Sequence, residues 1–261
     1  MSRRWAGLLI PLAACGRLGF GESGEPAAID GAPSVDGALA PADAAPPFCS
    51  TVVPAPTFCD DFDSGVFGER WTMRSELNGG FVEATATQVR SAPTAARHRF
   101  EDQANGITAA SLDLQLSNAT SRFTVGFDLF VVVRPTTGSI EIAGITVVVA
   151  GMGSFFQQIT LSADGVDTYL EEFRPEAGGF MYGETVLAAG IPTGQWVHVD
   201  LDLATDLQTY LIKLDGTAVA EGTCRYELVP GPVLFDSGIS WASGALTASE
   251  VIVDNVVINA S

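Results

Sequence analysis

Paired carboxylates are the first chemistry to look for in a 261-residue chain with 31 acidic and 13 basic residues. Retaining hydrolysis of a glycosidic bond needs two of them about 5–5.5 Å apart. Alternate residues of a strand share a face, so on one strand the pair would read Glu-x-Asp-x-x-Glu or a close variant. No glutamate here has an aspartate two residues later. The nearest cluster, Glu171-Glu172 with Glu176, is interrupted by Pro175 and has the wrong spacing. A serine nucleophile fares no better. Gly238-Ile239-Ser240-Trp241-Ala242 lacks the final glycine of the Gly-x-Ser-x-Gly elbow, and no strand-to-helix context follows it. On these grounds the expectation is a binding module and not an enzyme.

Binding residues are easier to nominate. Sugars stack on aromatic platforms flanked by a few polar groups. Tyr169, Tyr182 and Trp241 are candidates, with Trp71 and Trp196 assigned to packing. Arg97-His98-Arg99 is a basic spot in an acidic chain, and Arg97 with His98 could meet a carboxylate on a glycan. His198 sits beside Asp200 on one strand face, which could orient an imidazole. Asp60, Asp61 and Asp63 lie near one end of the sequence, Asp254 and Asn255 near the other. If the first and last strands pair, these oxygens converge. Calcium takes six to eight oxygen ligands, so Asp60, Asp61, Asp254 and Asn255 are a candidate calcium set. The alternative is that these acids bond nearby backbone at strand ends.

The elements that must position these groups are strands. Phe123, Val125, Phe127, Leu129, Val131 and Val133 alternate with other residues, which buries one face. Val197, Val199, Leu201 and Leu203 alternate with His198, Asp200 and Asp202, a half-exposed strand. Residues 207–214 run into Asp215-Gly216, a hairpin signal. Further strands are expected at 80–89, 94–100, 107–116, 140–150, 155–162, 166–173 and 250–259, and no amphipathic helix of useful length stands out. A dozen strands with frequent turns predict an all-β fold, a two-sheet antiparallel jelly-roll sandwich spanning residues 48–261.

The N-terminus is different in kind. Arg3 and Arg4 precede an apolar run that is too short to cross a bilayer, which takes about 20 residues. It has the length of a signal-peptide core. Leu12-Ala13-Ala14-Cys15 resembles the lipobox of bacterial lipoproteins. The resemblance implies a signal peptide over 1–14 and an acylated Cys15 as mature N-terminus, the chain being tethered to the lipid bilayer through that cysteine. Gly16 after it, in place of Asp, implies the outer membrane, with the protein facing the periplasm or the cell surface. The alternative is an ordinary secretory signal cut after Ala14. Residues 21–47 hold no aromatic residue and no Lys or Arg, and five prolines, so 15–47 reads as a disordered tether. The net charge of −18 excludes a nucleic-acid groove as the default reading, since phosphate contacts need clustered Lys and Arg. In an oxidising compartment Cys49, Cys59 and Cys224 allow one disulfide. Cys49–Cys59 closes a short loop, and Cys59–Cys224 is its rival.

Three stretches together carry a resemblance. They are Phe58-Cys59-Asp60-Asp61-Phe62-Asp63 followed by Trp71; Gly194-Gln195-Trp196-Val197-His198-Val199-Asp200-Leu201 running to Lys213-Leu214-Asp215-Gly216; and Val251-Ile252-Val253-Asp254-Asn255-Val256-Val257-Ile258. This resembles the concanavalin A-like lectin/glucanase superfamily, in particular its laminin-G-like members, over residues 57–259. The resemblance implies that the first strand pairs near the last and that a concave sheet takes the ligand. It says more about fold than activity. A polysaccharide lyase, which such relatives include, would want a Tyr/His/Arg set on that sheet, and Tyr169, Tyr182, His98 and Arg97 supply the residue types. The function expected from these readings is non-covalent recognition of a glycan or an envelope protein by a lipid-anchored sandwich. A polysaccharide-active enzyme with a non-standard site, or a structural envelope protein, is the alternative.

Overall fold

The computed structural model describes residues 46–102, 107–148, 155–176, 179–243 and 246–261. Cys15 and the expected signal peptide and tether lie outside the described residues. Residues 46–261 form one unit.

Two antiparallel sheets make up a sandwich, as the alternating pattern predicts. One sheet holds β1 (Phe58–Asp60), β3 (Gly80–Thr85), β4 (Ala95–Phe100), β6 (Arg122–Val133), β11 (Trp196–Ala204), β12 (Thr209–Leu214), β13 (Thr217–Thr223) and β15 (Ser249–Ala260). Its order is β13-β12-β11-β6-β15-β4-β3, with β1 also paired to β15. The other holds β2 (Met73–Leu77), β5 (Ile107–Thr120), β7 (Ile140–Val148), β8 (Phe155–Ala163), β9 (Thr168–Glu176), β10 (Gly179–Val186) and β14 (Gly231–Ser243). Its order is β10-β9-β8-β7-β14-β5-β2. Among the described residues one short helix, α1, covers Phe48–Thr51.

The expected pairing of first and last strands is present: Phe58 faces Ile258 and Asp60 faces Val256. Phe123, Val125, Phe127, Leu129 and Val131 all turn inward from β6 and are essentially inaccessible. They meet Phe235 of β14, whose ring centroid lies 6.2 Å from those of both Phe123 and Phe127. Trp71 extends this aromatic core, 6.3 Å from Phe235 and stacked on Phe62. Each such ring contributes about 1.5–3 kcal/mol when fully buried. Trp71 also donates its indole N–H to Asp60 at 2.8 Å, which satisfies the ring's one polar atom. Trp196 packs on Phe130 at 5.4 Å, outside this main core.

The disulfide joins Cys49 to Cys59, which resolves the choice left open by the sequence. Cys224 is a buried free thiol, pushed up to about 12 by burial and by the nearby Glu172.

Candidate active site

The outer face of the seven-stranded sheet gathers most of the polar side chains that could act on a ligand. Strand register explains how. Residues directly opposite one another in antiparallel strands share a face, so a line of partners marks a row across the sheet. One row runs Asp113–Asp236–Gly144–Thr160–Glu171–Glu184 over β5, β14, β7, β8, β9 and β10. The row beside it runs Trp241–Glu141–Ser162–Tyr169–Val186. Leu112, Leu170, Ile145 and Phe235, the residues next in sequence to row members, face the core, so alternation sends the acidic set outward.

Two clusters occupy these rows. In the first, Asp113 accepts hydrogen bonds from Ser75 and Ser111, both at 2.7 Å. Asp236 lies opposite, and burial with the charges of Asp113 and Glu141 raises it well above the usual carboxylate range. The two carboxyls face each other as a hydrogen-bonded pair. In the second, the Tyr182 hydroxyl lies 2.6 Å from Glu171 Oε1 and 2.9 Å from Glu184 Oε2. The two carboxylates are thus within about 5.5 Å of each other, the separation used in retaining glycosidases. A phenol has one proton, so both contacts are hydrogen bonds only if one carboxylate brings another. Glu171 also accepts from the Ser162 hydroxyl. The phenol proton goes to Glu171 or to Glu184, and not to both at once. Partial burial and the two carboxylates hold the Tyr182 phenol above its ordinary value, so it stays protonated at neutral pH. Tyr169, more buried, is pushed up to about 12, chiefly by burial. The clusters are three strand steps apart, about 14 Å, too far for both to act on one sugar ring.

The five ligand residues expected from sequence separate. Tyr169, Tyr182 and Trp241 do share the outer face of the seven-stranded sheet, with Tyr182 and Trp241 exposed. Arg97 and His98 do not join them. Neighbours on β4 point to opposite sides, and β4 belongs to the other sheet. Arg97 is held by Glu250 through two contacts of 2.8 Å. His98 is fully buried between the sheets, its Nδ1 2.9 Å from the Ala110 carbonyl oxygen, and burial lowers it to about 4.

The calcium candidates converge at the β1–β15 edge, but their oxygens bond mostly to the protein itself. Asp60 accepts from Trp71 and the Phe62 amide, Asp61 from the Cys49 and Asp63 amides, and Asp254 from the Arg90 and Ser91 amides. Asn255 donates to Asp128. Among the described residues no group of three His, Cys, Asp or Glu side chains is arranged to hold a metal ion. Near Asp254, the buried oxygen without a hydrogen-bond partner is Asp63 Oδ2; the Thr108 and Ser237 hydroxyls are the others among the described residues.

Sequence reasoning missed Glu184, Asp113 and Asp236, and set Glu171 aside for its spacing. The pair forms across a hairpin: Glu176 faces Gly179, and eight residues of β9 find their partners in β10, Glu171 meeting Glu184. A search along one strand cannot see that.

No family model matches the chain, and no curated protein matches its sequence. Its fold is shared with solved structures. An endo-β-1,4-glucuronan lyase from the fungus Trichoderma reesei superposes with a TM-score of 0.61 at 18% identity, covering 79% of this chain and 96% of that one. The cellulose-induced protein Cip1 gives 0.56 at 16% identity, covering 78% of this chain and 97% of that one. The non-enzyme expectation is corrected by this finding. The missing Glu-x-Asp-x-x-Glu tests one hydrolase mechanism only, whereas the fold as a whole is one on which a polysaccharide lyase is built.

Proposed function

We propose that the protein is a polysaccharide-active enzyme whose chemistry is carried by Glu171, Tyr182 and Glu184. The observation that supports it is the Tyr182 hydroxyl seated 2.6 and 2.9 Å from two carboxylates on an otherwise open sheet face. Cleavage of a glycan by elimination needs a base to take a ring proton and an acid to protonate the leaving oxygen. Glu171 takes the C5 proton, a C4=C5 double bond forms as the C4–O bond breaks, and Tyr182 gives its proton to the departing oxygen. Glu171 then passes the proton it took to the Tyr182 phenolate, 2.6 Å away, which restores both groups, and Glu184 holds the phenol in place. Trp241, exposed on the same sheet face, supplies a flat surface for a flanking sugar.

A second reading is hydrolysis, with Glu171 as nucleophile and Glu184 as acid. The close spacing of the two carboxylates favours it, as does the absence of any Lys or Arg on this face among the described residues. One assay separates the two. Incubation of the protein with a panel of polysaccharides gives ultraviolet-absorbing unsaturated ends for elimination, and new reducing ends without them for hydrolysis. No cleavage of any member by wild-type protein, or equal cleavage by Tyr182→Phe and Glu171→Gln variants, counts against the site.

The lipobox resemblance supports a location to match. We place the enzyme at the outer membrane, held by a lipid on Cys15, with a glycan as its partner. Detergent partitioning of wild type against Cys15→Ser tests this; a wild-type protein that stays in the aqueous phase refutes the anchor.

A further inference from the structure

The opposite sheet carries a second group of side chains that the proposed chemistry does not use. On the outer face of the eight-stranded sheet, Lys213, Asp200 and Gly126 pair in line across β12, β11 and β6. His198 lies one row along, opposite Asp128. Gly126 has no side chain, and a Cβ there would sit 3.3 Å from both His198 Nε2 and Asp200 Oδ1. The result is a cavity of about 360 Å³ floored by Gly126 and walled on one side by Phe48 and Val52. That wall belongs to the segment that the Cys49–Cys59 disulfide and the Cys49 amide bond to Asp61 pin in place.

The imidazole is positioned by groups behind it. Asp128, nearly inaccessible, lies 3.0 Å from His198 Nδ1, and Asn255 donates to the other Asp128 oxygen at 2.9 Å. Nε2 is thereby turned toward the Gly126 cavity, 3.5 Å from Asp200. A buried carboxylate fixed from behind by an amide sets the ring's orientation, as a second shell does for a ligand-binding histidine. Lys213 is the only lysine in the sequence. Among the described residues it makes no ion pair, unlike Arg97, Arg99 and Arg122 on the same sheet.

We infer that this cavity is a second binding site, for a small hydroxylated carboxylate such as the sugar acid of a glycan end. Lys213 and the Nε2–H of His198 in its imidazolium form donate to its carboxylate across the space above Gly126. Asp200 accepts from its hydroxyls, and Phe48 with Val52 cover its C–H face. A neutral sugar would leave the chain's single lysine without a role there, and a bare carboxylate would meet Asp200 with nothing to donate.

Because Lys213 is unique, reductive methylation with ¹³C-formaldehyde gives the full-length protein one lysine dimethylamine signal, distinct from that of any free N-terminal amine, with the positive charge kept. Titration with glucuronate should move this signal saturably, and glucose or acetate at matched ionic strength should not. In calorimetry of unlabelled protein, Lys213→Met and Gly126→Ala should weaken glucuronate binding at least tenfold, while both melt within a few degrees of wild type. A signal unmoved by glucuronate, or moved as far by acetate or glucose, overturns the inference. So does full binding by folded Lys213→Met. The site lies on the opposite sheet from Tyr182, so Tyr182→Phe should leave the titration unchanged.

Discussion

The His98 imidazole fills the space that a side chain on Gly238 would need: a Cβ there would lie 2.0 Å from His98 Nδ1. Gly238 also sits at φ +91°, a backbone angle L side chains rarely adopt. Gly238→Ala should therefore cost about 2–4 kcal/mol, from overpacking and backbone strain together. Denaturant melts check this, and a loss below about 0.5 kcal/mol would show that the ring is not held there.

The two histidines of the chain should titrate on opposite sides of the ordinary value. His98, buried and neutral, protonates near 4, whereas the partnership with Asp128 holds His198 above 6.5. An NMR titration of two imidazole signals reads both. The signs for stability differ. The unfolded chain takes a proton before His98 does, so this group removes up to about 3 kcal/mol as pH falls from 6.5 toward 4. His198 contributes below 6.5 and loses that contribution as pH rises through its folded value. Asp254, raised to about 6 chiefly by burial, gains stability as pH falls through that value and offsets part of the His98 loss.

Tyr182→Phe removes only a hydroxyl from an exposed ring, so the fold should be unchanged. If that hydroxyl is the proton donor, turnover of the cleaved polysaccharide should fall by about 10²–10⁴-fold with little change in KM. Glu184→Gln, which keeps the shape and removes a carboxylate charge beside the phenol, should shift the pH profile of kcat.

Cys49 and Cys59 are 10 residues apart in sequence. Opening that loop in a Cys49→Ser/Cys59→Ser variant should cost about 3 kcal/mol on chain-entropy grounds. It should also weaken any ligand bound beside Phe48. Cys224, buried and held as a thiol, should resist alkylation in the native protein and react on denaturation.

The half-buried strands were plain in the sequence because their residue types alternate: β11 buries one face and half-exposes the other along most of its length, and β6 does so over its first half. β14 was not: a serine, Ser237, interrupts its inward row of Val233, Phe235 and Ile239, and a register shift follows between Ser237 and Trp241. A row broken by a polar residue and an irregularity does not show a period. That omission hid Asp236 and the strand on which Trp241 rides. The Glu171–Glu184 pair was hidden for another reason, because partners across a hairpin depend on where it turns and not on local spacing. His98 illustrates a third limit: a basic tripeptide reads as surface, while pleating drives its middle residue inward.

The chain's first strand lies along its last, with the Ala260 amide bonded to Thr57 at 3.1 Å, and the Cys49–Cys59 link staples the lead-in segment to that edge. Traction arriving from the N-terminal side is therefore delivered to the β1–β15 ladder through a covalent strut. Under load the sandwich should yield by peeling at this seam, leaving the Tyr182 cluster on the other sheet undisturbed until the seam has gone.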